Sequence, residues 1–376
     1  MKDSPNMAED QQKYRHNQSN LSISNQFFGA RYRWSTVPQD APQSMEEAQA
    51  LIDQLYLSGG PFFSKEMIRL AFEQCQRKPV RGEMLYINDV TGAVVEFECQ
   101  TGEVKIQIDH DGEKSTYLLL DPVLSYECRA HLKHHLWWTG IREDRSPFCS
   151  LTLLHPSFKF KTDTREPIDP TPRRPPEAVA QEFLDRSRKW QKSEVAQQLV
   201  HILCAHAAGH EISKIIGLAL GAISYDTDDR SRSFVQHALL LTLQDWLMGR
   251  DKKDKPVCYA QDPAYRSVDR QILKEHGIEA IDDPRAWLEI DNQSIVFSVA
   301  PNVPVKEIVA DIARPAIVIW ERVGYNDADR EGKMSCTDPD SPRVRAMLAQ
   351  YEVFDFGAED DPDFCKTVIY IRRCRG

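Results

Sequence analysis

The sequence predicts an α/β protein with a Rossmann-like parallel sheet in its C-terminal half, preceded by a smaller α+β module. Beyond residue 177, short apolar runs alternate with helical patterns, which is typical of parallel strands joined by crossover helices. Before residue 160, two helical patterns precede apolar runs of period two separated by turn residues. A stretch with five prolines, 161–176, lies between these regions and favours an extended linker.

The composition limits the class of protein. The 376 residues are 41% hydrophobic and 28% charged, which is ordinary for a globular chain with room for two domains. Apolar runs fall short of the ~20 residues that a membrane span needs, and the first twenty residues lack the apolar centre of a signal peptide. The net charge of −10 argues against a nucleic-acid partner. We therefore expect an intracellular protein, cytoplasmic or nuclear, with no membrane partner.

The first 160 residues divide into a tail and a module. Residues 1–25 are polar and aperiodic, and we interpret them as a disordered tail. Residues 26–160 form the α+β module. Its predicted elements are helices 44–57 and 64–76, a β-meander of strands 83–88, 92–99, 104–109 and 115–120, and a helix over 125–138. The last helix carries three histidines, but it lacks a recognised metal-binding motif, so we predict no metal site.

The C-terminal half follows a strand–helix alternation over 177–326. The predicted helices are 177–190, 193–207, 231–247, 267–276 and 305–312, and the predicted strands are 212–220, 257–260, 278–281, 294–299 and 316–320. Residues 327–376 form an acidic, loop-rich tail with a helix over 342–351 and an apolar final strand, 367–371. We expect this last strand to pair at an edge of the sheet.

The candidate site lies at the carboxyl ends of these strands, because ligands of open α/β sheets bind there. The candidate ligand-binding residues are Gly217, Gly221, Asp226, Arg232, Gln236, Asp262 and Asn302. The spacing Gly217-x-x-x-Gly221 is an incomplete glycine-rich turn, and Asp262 ends the second strand. Each has a structural alternative, since glycines permit tight strand–helix packing and an aspartate can cap a turn. If a ligand binds, we expect Asp262→Ala to remove most of its affinity without changing thermal stability.

Four stretches resemble the Sensitivity-to-Red-Light-Reduced-like (SRR-like) domain family: 215–221 (IIGLALG), 236–243 (QHALLLTL), 259–263 (YAQDP) and 298–302 (SVAPN). The N-terminal module looks like the extension of its filamentous-fungal members. The resemblance implies an intracellular regulatory role, as in clock and light signalling, cytoskeleton-related growth or the haem-linked metabolism of animals. It implies no catalytic mechanism. Residues 301–303 read Pro-Asn-Val, where relatives have Pro-His-Cys, so no role of that His or Cys carries over.

Two functions follow as hypotheses. The first is a regulatory or ligand-sensing protein that binds a small molecule or a protein partner near Gly221, Asp262 and Asn302. The second is a transferase that uses S-adenosylmethionine or a nucleotide at the same place, for which His237 is a further candidate base. The sequence leaves open the cofactor, the partner and whether any reaction is catalysed. The incomplete glycine pattern favours the first hypothesis.

Overall fold

The computed structural model describes residues 24–108, 114–142, 145–161, 174–225, 230–250, 256–324, 337–357, 363–364 and 366–374. These residues form a mixed α/β protein with three sheets. The chain divides into two compact units, Met1–Pro172 and Arg173–Gly376. The division falls within the proline-rich stretch 161–176.

The N-terminal unit contains eight strands and three helices among its described residues. In chain order they are β1 (Ser24–Gly29), β2 (Arg31–Trp34), α1 (Met45–Leu57), α2 (Lys65–Gln76), β3 (Met84–Asn88), β4 (Val94–Glu98), β5 (Val104–Ile108), β6 (Lys114–Leu119), β7 (Val123–Tyr126), α3 (Arg129–Thr139) and β8 (Leu151–Phe160). Helices α1 and α2 begin after the serines that the sequence indicates. The hydroxyl oxygens of Ser44 and Ser64 each accept a backbone N–H three residues on, at 3.1 Å.

The predicted β-meander is wrong, because its four strands belong to two different sheets. One sheet has the order β2-β4-β3, and the other has the order β1-β8-β6-β5 with β7 also paired to β8. The pairing that separates the two hairpins is long-range, with β4 against β2 and β6 against β8. The predicted helix over 125–138 begins only at Arg129, since Ser125 and Tyr126 pair with β8 instead. A short-range period cannot reveal such partners.

The C-terminal unit follows the predicted order of elements and adds two more. In chain order they are α4 (Pro176–Gln191), α5 (Glu194–His206), β9 (Lys214–Leu218), α6 (Arg230–Met248), β10 (Val257–Gln261), α7 (Ser267–Glu275), β11 (Glu279–Ala280), α8 (Arg285–Glu289), β12 (Ser294–Ser298), α9 (Val305–Ile312), β13 (Ile317–Glu321), α10 (Pro342–Leu348), β14 (Tyr351–Asp355) and β15 (Thr367–Arg372). Helix α8 and strand β14 are the two that the sequence pattern did not indicate.

The sheet of this unit is mixed, whereas the sequence predicted a parallel one. Its order is β11-β10-β9-β12-β13-β15-β14. The first five strands are parallel, and β15 runs antiparallel to both β13 and β14. Strand β15 therefore lies inside the sheet, while β14 takes the edge. This explains why residues 367–371 are all buried, since an interior strand is covered on both faces.

Helix α6 packs on the central strand β9 and anchors the core of the unit. Its residues Ala238, Leu239, Leu240, Leu243 and Leu247 have no solvent exposure. Burying one such leucine contributes about 1.5–3 kcal/mol. The carboxyl end of β9 and the first turn of α6 are thereby held in fixed positions.

Candidate functional site

In the sheet of the C-terminal unit, the order in which the chain adds strands reverses between the parallel neighbours β9 and β12. The chain leaves β9 toward β10 on one side, and it leaves β12 toward β13 on the other. The carboxyl ends of the two strands are joined where Ser298 Oγ donates to the carbonyl oxygen of Leu218 at 3.0 Å. In open α/β sheets, ligands bind at such a switch point, beyond the carboxyl ends of the strands.

The backbone is strained at both of these strand ends. Among the described residues, three that are not glycine have a positive φ, and two of them follow β9 and β12: Ala219 at 55° and Ala300 at 46°. The amide of Ala219 is held by the carbonyl oxygen of Gln261, at 3.0 Å. A left-handed alanine costs roughly 1–2 kcal/mol, so the surrounding contacts must hold it in place.

The loop after β9 is fastened to the end of β10. Gly221 N donates to Asp262 Oδ2 at 2.7 Å, and Ala264 N donates to Asp262 Oδ1 at 2.8 Å. Burial raises the pKa of the Asp262 carboxyl, the two backbone hydrogen bonds lower it, and the charge of Asp269 raises it again. Asp262 thus orders two loops at the carboxyl edge of the parallel strands.

A second carboxylate holds the next part of this loop. Asp269 is fully buried and accepts from Ser224 N, Ser224 Oγ and Arg266 N, each at 2.8 Å. The last of these contacts caps the start of α7. Together, Asp262 and Asp269 bind the described loop between β9 and α6 to the segment between β10 and α7.

The two predicted glycines have different reasons for being glycine. A Cβ on Gly217 would lie 3.0 Å from Leu240 Cδ1, so this residue permits close packing of β9 on α6. Gly221 has φ of 72°, and a Cβ there would lie 2.5 Å from Ser233 Oγ. Gly221 therefore permits the close approach of the loop to the first turn of α6.

The remaining candidates are dispersed. Gln236 is buried and its Nε2 donates to the carbonyl oxygen of Asp363 at 3.1 Å, so it ties α6 to the C-terminal segment. Arg232, on the first turn of α6, and Asn302, four residues beyond β12, are exposed. Asp226 lies outside the described residues. Of the six candidates that the structure describes, hydrogen bonding directly joins only Gly221 and Asp262.

The side chain of His237 is enclosed in the core. Its Nδ1 lies 2.6 Å from the carbonyl oxygen of Ser233, and its Nε2 lies 2.7 Å from the hydroxyl of Tyr265. Burial lowers the pKa of the imidazole to about 4, against the hydrogen bond to Ser233. The ring is therefore neutral, donates from Nδ1 and accepts from Tyr265. The imidazole has no solvent exposure, and its two hydrogen bonds tie α6 to Tyr265.

The sequence reasoning missed a buried lysine beyond β12. Lys306 is 1% exposed, and its Nζ lies 3.0 Å from Asp340 Oδ1, 3.9 Å from Asp338 Oδ2 and 4.0 Å from Glu321 Oε2. Its backbone N–H donates to Asp338 Oδ1 at 2.9 Å. The three carboxylates, Asp338 foremost, raise the pKa of the ammonium against the effect of burial. The only sequence signal was a lysine inside an apolar helical pattern opposite an acidic loop.

Metal and membrane features are absent from the part of the chain that the structure describes. No group of three or more His, Cys, Asp or Glu side chains in it is arranged to hold a metal ion. Its helices are also too short or too polar to cross a membrane.

One family model matches part of the C-terminal unit. Residues 191–355 match the family model of the SRR1 domain, which supports an SRR-like protein. No curated protein matches the chain.

Similar solved structures include two of the methyltransferase domain of bacterial CtHen1, each 14% identical. One covers 51% of this chain and 100% of that chain at a TM-score of 0.25, and the other covers 50% and 97% at 0.24. A third is the Haemonchus contortus phosphoethanolamine N-methyltransferase 2 in complex with phosphomonomethylethanolamine and S-adenosylhomocysteine. It is 9% identical and covers 68% of this chain and 57% of that chain, at a TM-score of 0.23.

Proposed function

We propose that this SRR-like protein is an intracellular regulatory or ligand-sensing protein of Rossmann-like fold. Its C-terminal unit binds a nucleoside-containing small molecule in the crevice between the carboxyl ends of β9 and β12. The observation that carries this proposal is the strained backbone of Ala219 and Ala300 at those two ends. A strained backbone conformation persists only where surrounding contacts hold it in place, and such residues are concentrated at ligand-binding and active sites.

The strand order supports a nucleoside ligand. Counted along the chain, the five parallel strands have the order 3-2-1-4-5, which is the order of the dinucleotide-binding fold around its crevice. In that fold a carboxylate after the second strand binds the ribose hydroxyls. Asp262 occupies the corresponding position, and each of its oxygens has a further lone pair beyond the backbone bond that it accepts.

Binding is better supported than catalysis. A general base must reach the substrate proton, yet both nitrogens of His237 are engaged inside the core. Asp262 accepts two backbone N–H groups, and the role proposed for its remaining lone pairs is to accept ribose hydroxyls; the amide of the exposed Asn302 cannot act as a base. Ligand binding that is sensed through the ordered loops at 219–224 requires none of these groups to exchange a proton.

A transferase that uses S-adenosylmethionine or a nucleotide is the second candidate function. The observation that favours it is the Asp262 carboxylate beside Gly221, because in the dinucleotide-binding fold a carboxylate near the glycine-containing turn binds ribose, which S-adenosylmethionine and nucleotides both contain. Turnover of bound S-adenosylmethionine to S-adenosylhomocysteine would separate the two functions. The sensing function predicts binding without turnover.

Titration calorimetry of the full chain with S-adenosylmethionine, S-adenosylhomocysteine, NAD and ATP tests the proposal. Asn302→Trp adds bulk at an exposed position beside the crevice, and we expect it to weaken binding by roughly tenfold or more. Val257→Trp is the matched control, since Val257 is 42% exposed at the amino end of β10. Both variants should keep the wild-type melting temperature. Failure of all four compounds to bind, or equal affinity in Asn302→Trp, contradicts the proposal.

A further inference from the structure

Strand β5 forms one edge of its sheet among the described residues, and its exposed side chains are apolar. Among the described residues it pairs only with β6, through five consecutive antiparallel pairs from Val104↔Leu118 to Ile108↔Lys114 without a register shift. Its residues Val104, Ile106 and Ile108 are 55%, 64% and 69% exposed. A regular apolar edge of this kind is a template for pairing with another strand.

The hydrogen-bonding groups of the same three residues face outward. Leu119 N donates to the carbonyl oxygen of Glu103 at 2.9 Å, and Leu119 O accepts from Gly102 N at 2.8 Å, so a glycine bulge precedes β5 and the carbonyl of Glu103 points toward β6. In an antiparallel ladder, alternate residues then bond to the same partner strand. The backbone groups of Lys105 and Gln107 therefore bond to β6, while those of Val104, Ile106 and Ile108 lie on the free edge.

Other edge strands of the N-terminal unit carry protection that β5 lacks. The amide side chain of Gln74 covers the free edge of β3, accepting from Tyr86 N and donating to Tyr86 O, both at 2.8 Å. Strand β1, at the opposite end of the same sheet as β5, is broken by a register shift between Ser24 and Phe27. Such devices are how proteins prevent unwanted edge pairing. The five described pairs of β5 have neither a register shift nor a side chain bonded across the free edge, and Lys105 is the single charged residue of the strand.

We propose that β5 is the interface at which two copies of this chain form a dimer, by antiparallel pairing across a two-fold axis at Ile106. This register sets Ile106 against Ile106 of the second copy and Val104 against Ile108. Lys105 then faces Gln107, so within the strand no like charges meet. The sequence VKIQI is thus complementary to itself in the way that an isologous interface requires, and pairing joins two apolar stripes on one face of a continuous sheet.

The test is the mass of the full chain in solution by sedimentation equilibrium, for wild type, Ile106→Lys, Ile106→Glu and an equal mixture of the two variants. We expect a wild-type dimer and the loss of the dimer in each variant, because like charges then face each other across the axis. The mixture should recover a dimer, since Lys and Glu face each other in it. Tyr86→Lys, at an exposed position on β3, is the control and should remain dimeric.

Three outcomes overturn the proposal. The first is a monomeric wild type, which would result if another segment of the same chain covered β5. A dimer that persists in both Ile106 variants places the interface elsewhere. Separate monomers in the mixture contradict the two-fold pairing at Ile106. Circular dichroism of each variant confirms folding, which the exposure of Ile106 leads us to expect.

Discussion

The backbone N–H of Gly221 donates to the carboxylate of Asp262 at 2.7 Å, across 41 residues of chain. This bond joins the loop after the central strand to the turn after its neighbour, at the edge of the sheet where the strand order reverses. It gives Asp262 a structural task in addition to the ligand-binding role that we propose.

Replacing Asp262 with alanine should lower stability as well as ligand affinity. Two backbone N–H groups lose their acceptor, so we expect the free energy of unfolding to fall by about 1–3 kcal/mol. This corrects the sequence-based expectation of unchanged thermal stability. Urea denaturation measures the change, with Asp245→Ala, at an exposed position on α6, as the control. If the free energy of unfolding fell equally in the two variants, the two hydrogen bonds of Asp262 would make no net contribution to stability.

Replacing Ala300 with glycine should stabilise the protein. The methyl group is exposed and φ is 46°, so glycine relieves strain without removing a buried contact. We expect a gain of up to about 1 kcal/mol after the greater entropy of glycine in the unfolded chain is subtracted. Ala349→Gly, at φ of −56°, should instead lose about 0.5–1 kcal/mol. A loss at both positions would mean that Ala300 is not strained.

Replacing Lys306 with methionine should be severely destabilising. The change leaves Asp338, Asp340 and Glu321 without the ammonium that lies among them. Breaking a buried ion pair by removing one partner costs about 3–5 kcal/mol. Lys192→Met, at an exposed position after α4, should change stability by less than about 0.5 kcal/mol. Thermal unfolding of both variants checks this, and a similar small effect in Lys306→Met would refute it.

The buried His237 should make stability depend on pH. Its pKa of about 4 lies below the ordinary value of 6.5, so the folded protein binds this proton less tightly than the unfolded chain does. The difference between the two pKa values corresponds to about 3 kcal/mol in the free energy of unfolding. This contribution is fully present above pH 6.5 and is lost as the pH falls toward 4. The stability difference between wild type and His237→Gln should therefore shrink over this window. A difference that is constant with pH would exclude this role.

Much of the C-terminal unit was predictable from short-range patterns. The alternation of apolar strands with helices fixed the order from β9 to β13, because strands buried on both faces leave continuous apolar runs. Strand β14 was missed, since its residues Glu352 and Asp355 are charged and its exposed face weakens the pattern. The place of β15 inside the sheet depends on partners far along the chain, which local periodicity does not contain.

The candidate site was predictable in location but less so in detail. The topology rule placed Gly221 and Asp262 at the same edge of the sheet, and the structure joins them directly. Gln236 stays a prediction as a ligand residue, and its side-chain contact with Asp363 was not predictable from local patterns because the two residues lie 127 positions apart. The left-handed backbone of Ala219 and Ala300 has no sequence signal, since alanine rarely adopts it. Lys306 was overlooked for the corresponding reason that its carboxylate partners come from distant segments.

The most direct test of ligand binding at the switch point is amide hydrogen exchange of the full chain with and without S-adenosylhomocysteine. Peptides that cover residues 219–224 and 299–302 should exchange more slowly in the presence of the compound, while peptides from the amino ends of the strands should be unchanged. Unaltered exchange in both segments, or protection confined to another part of the chain, would contradict a site between β9 and β12.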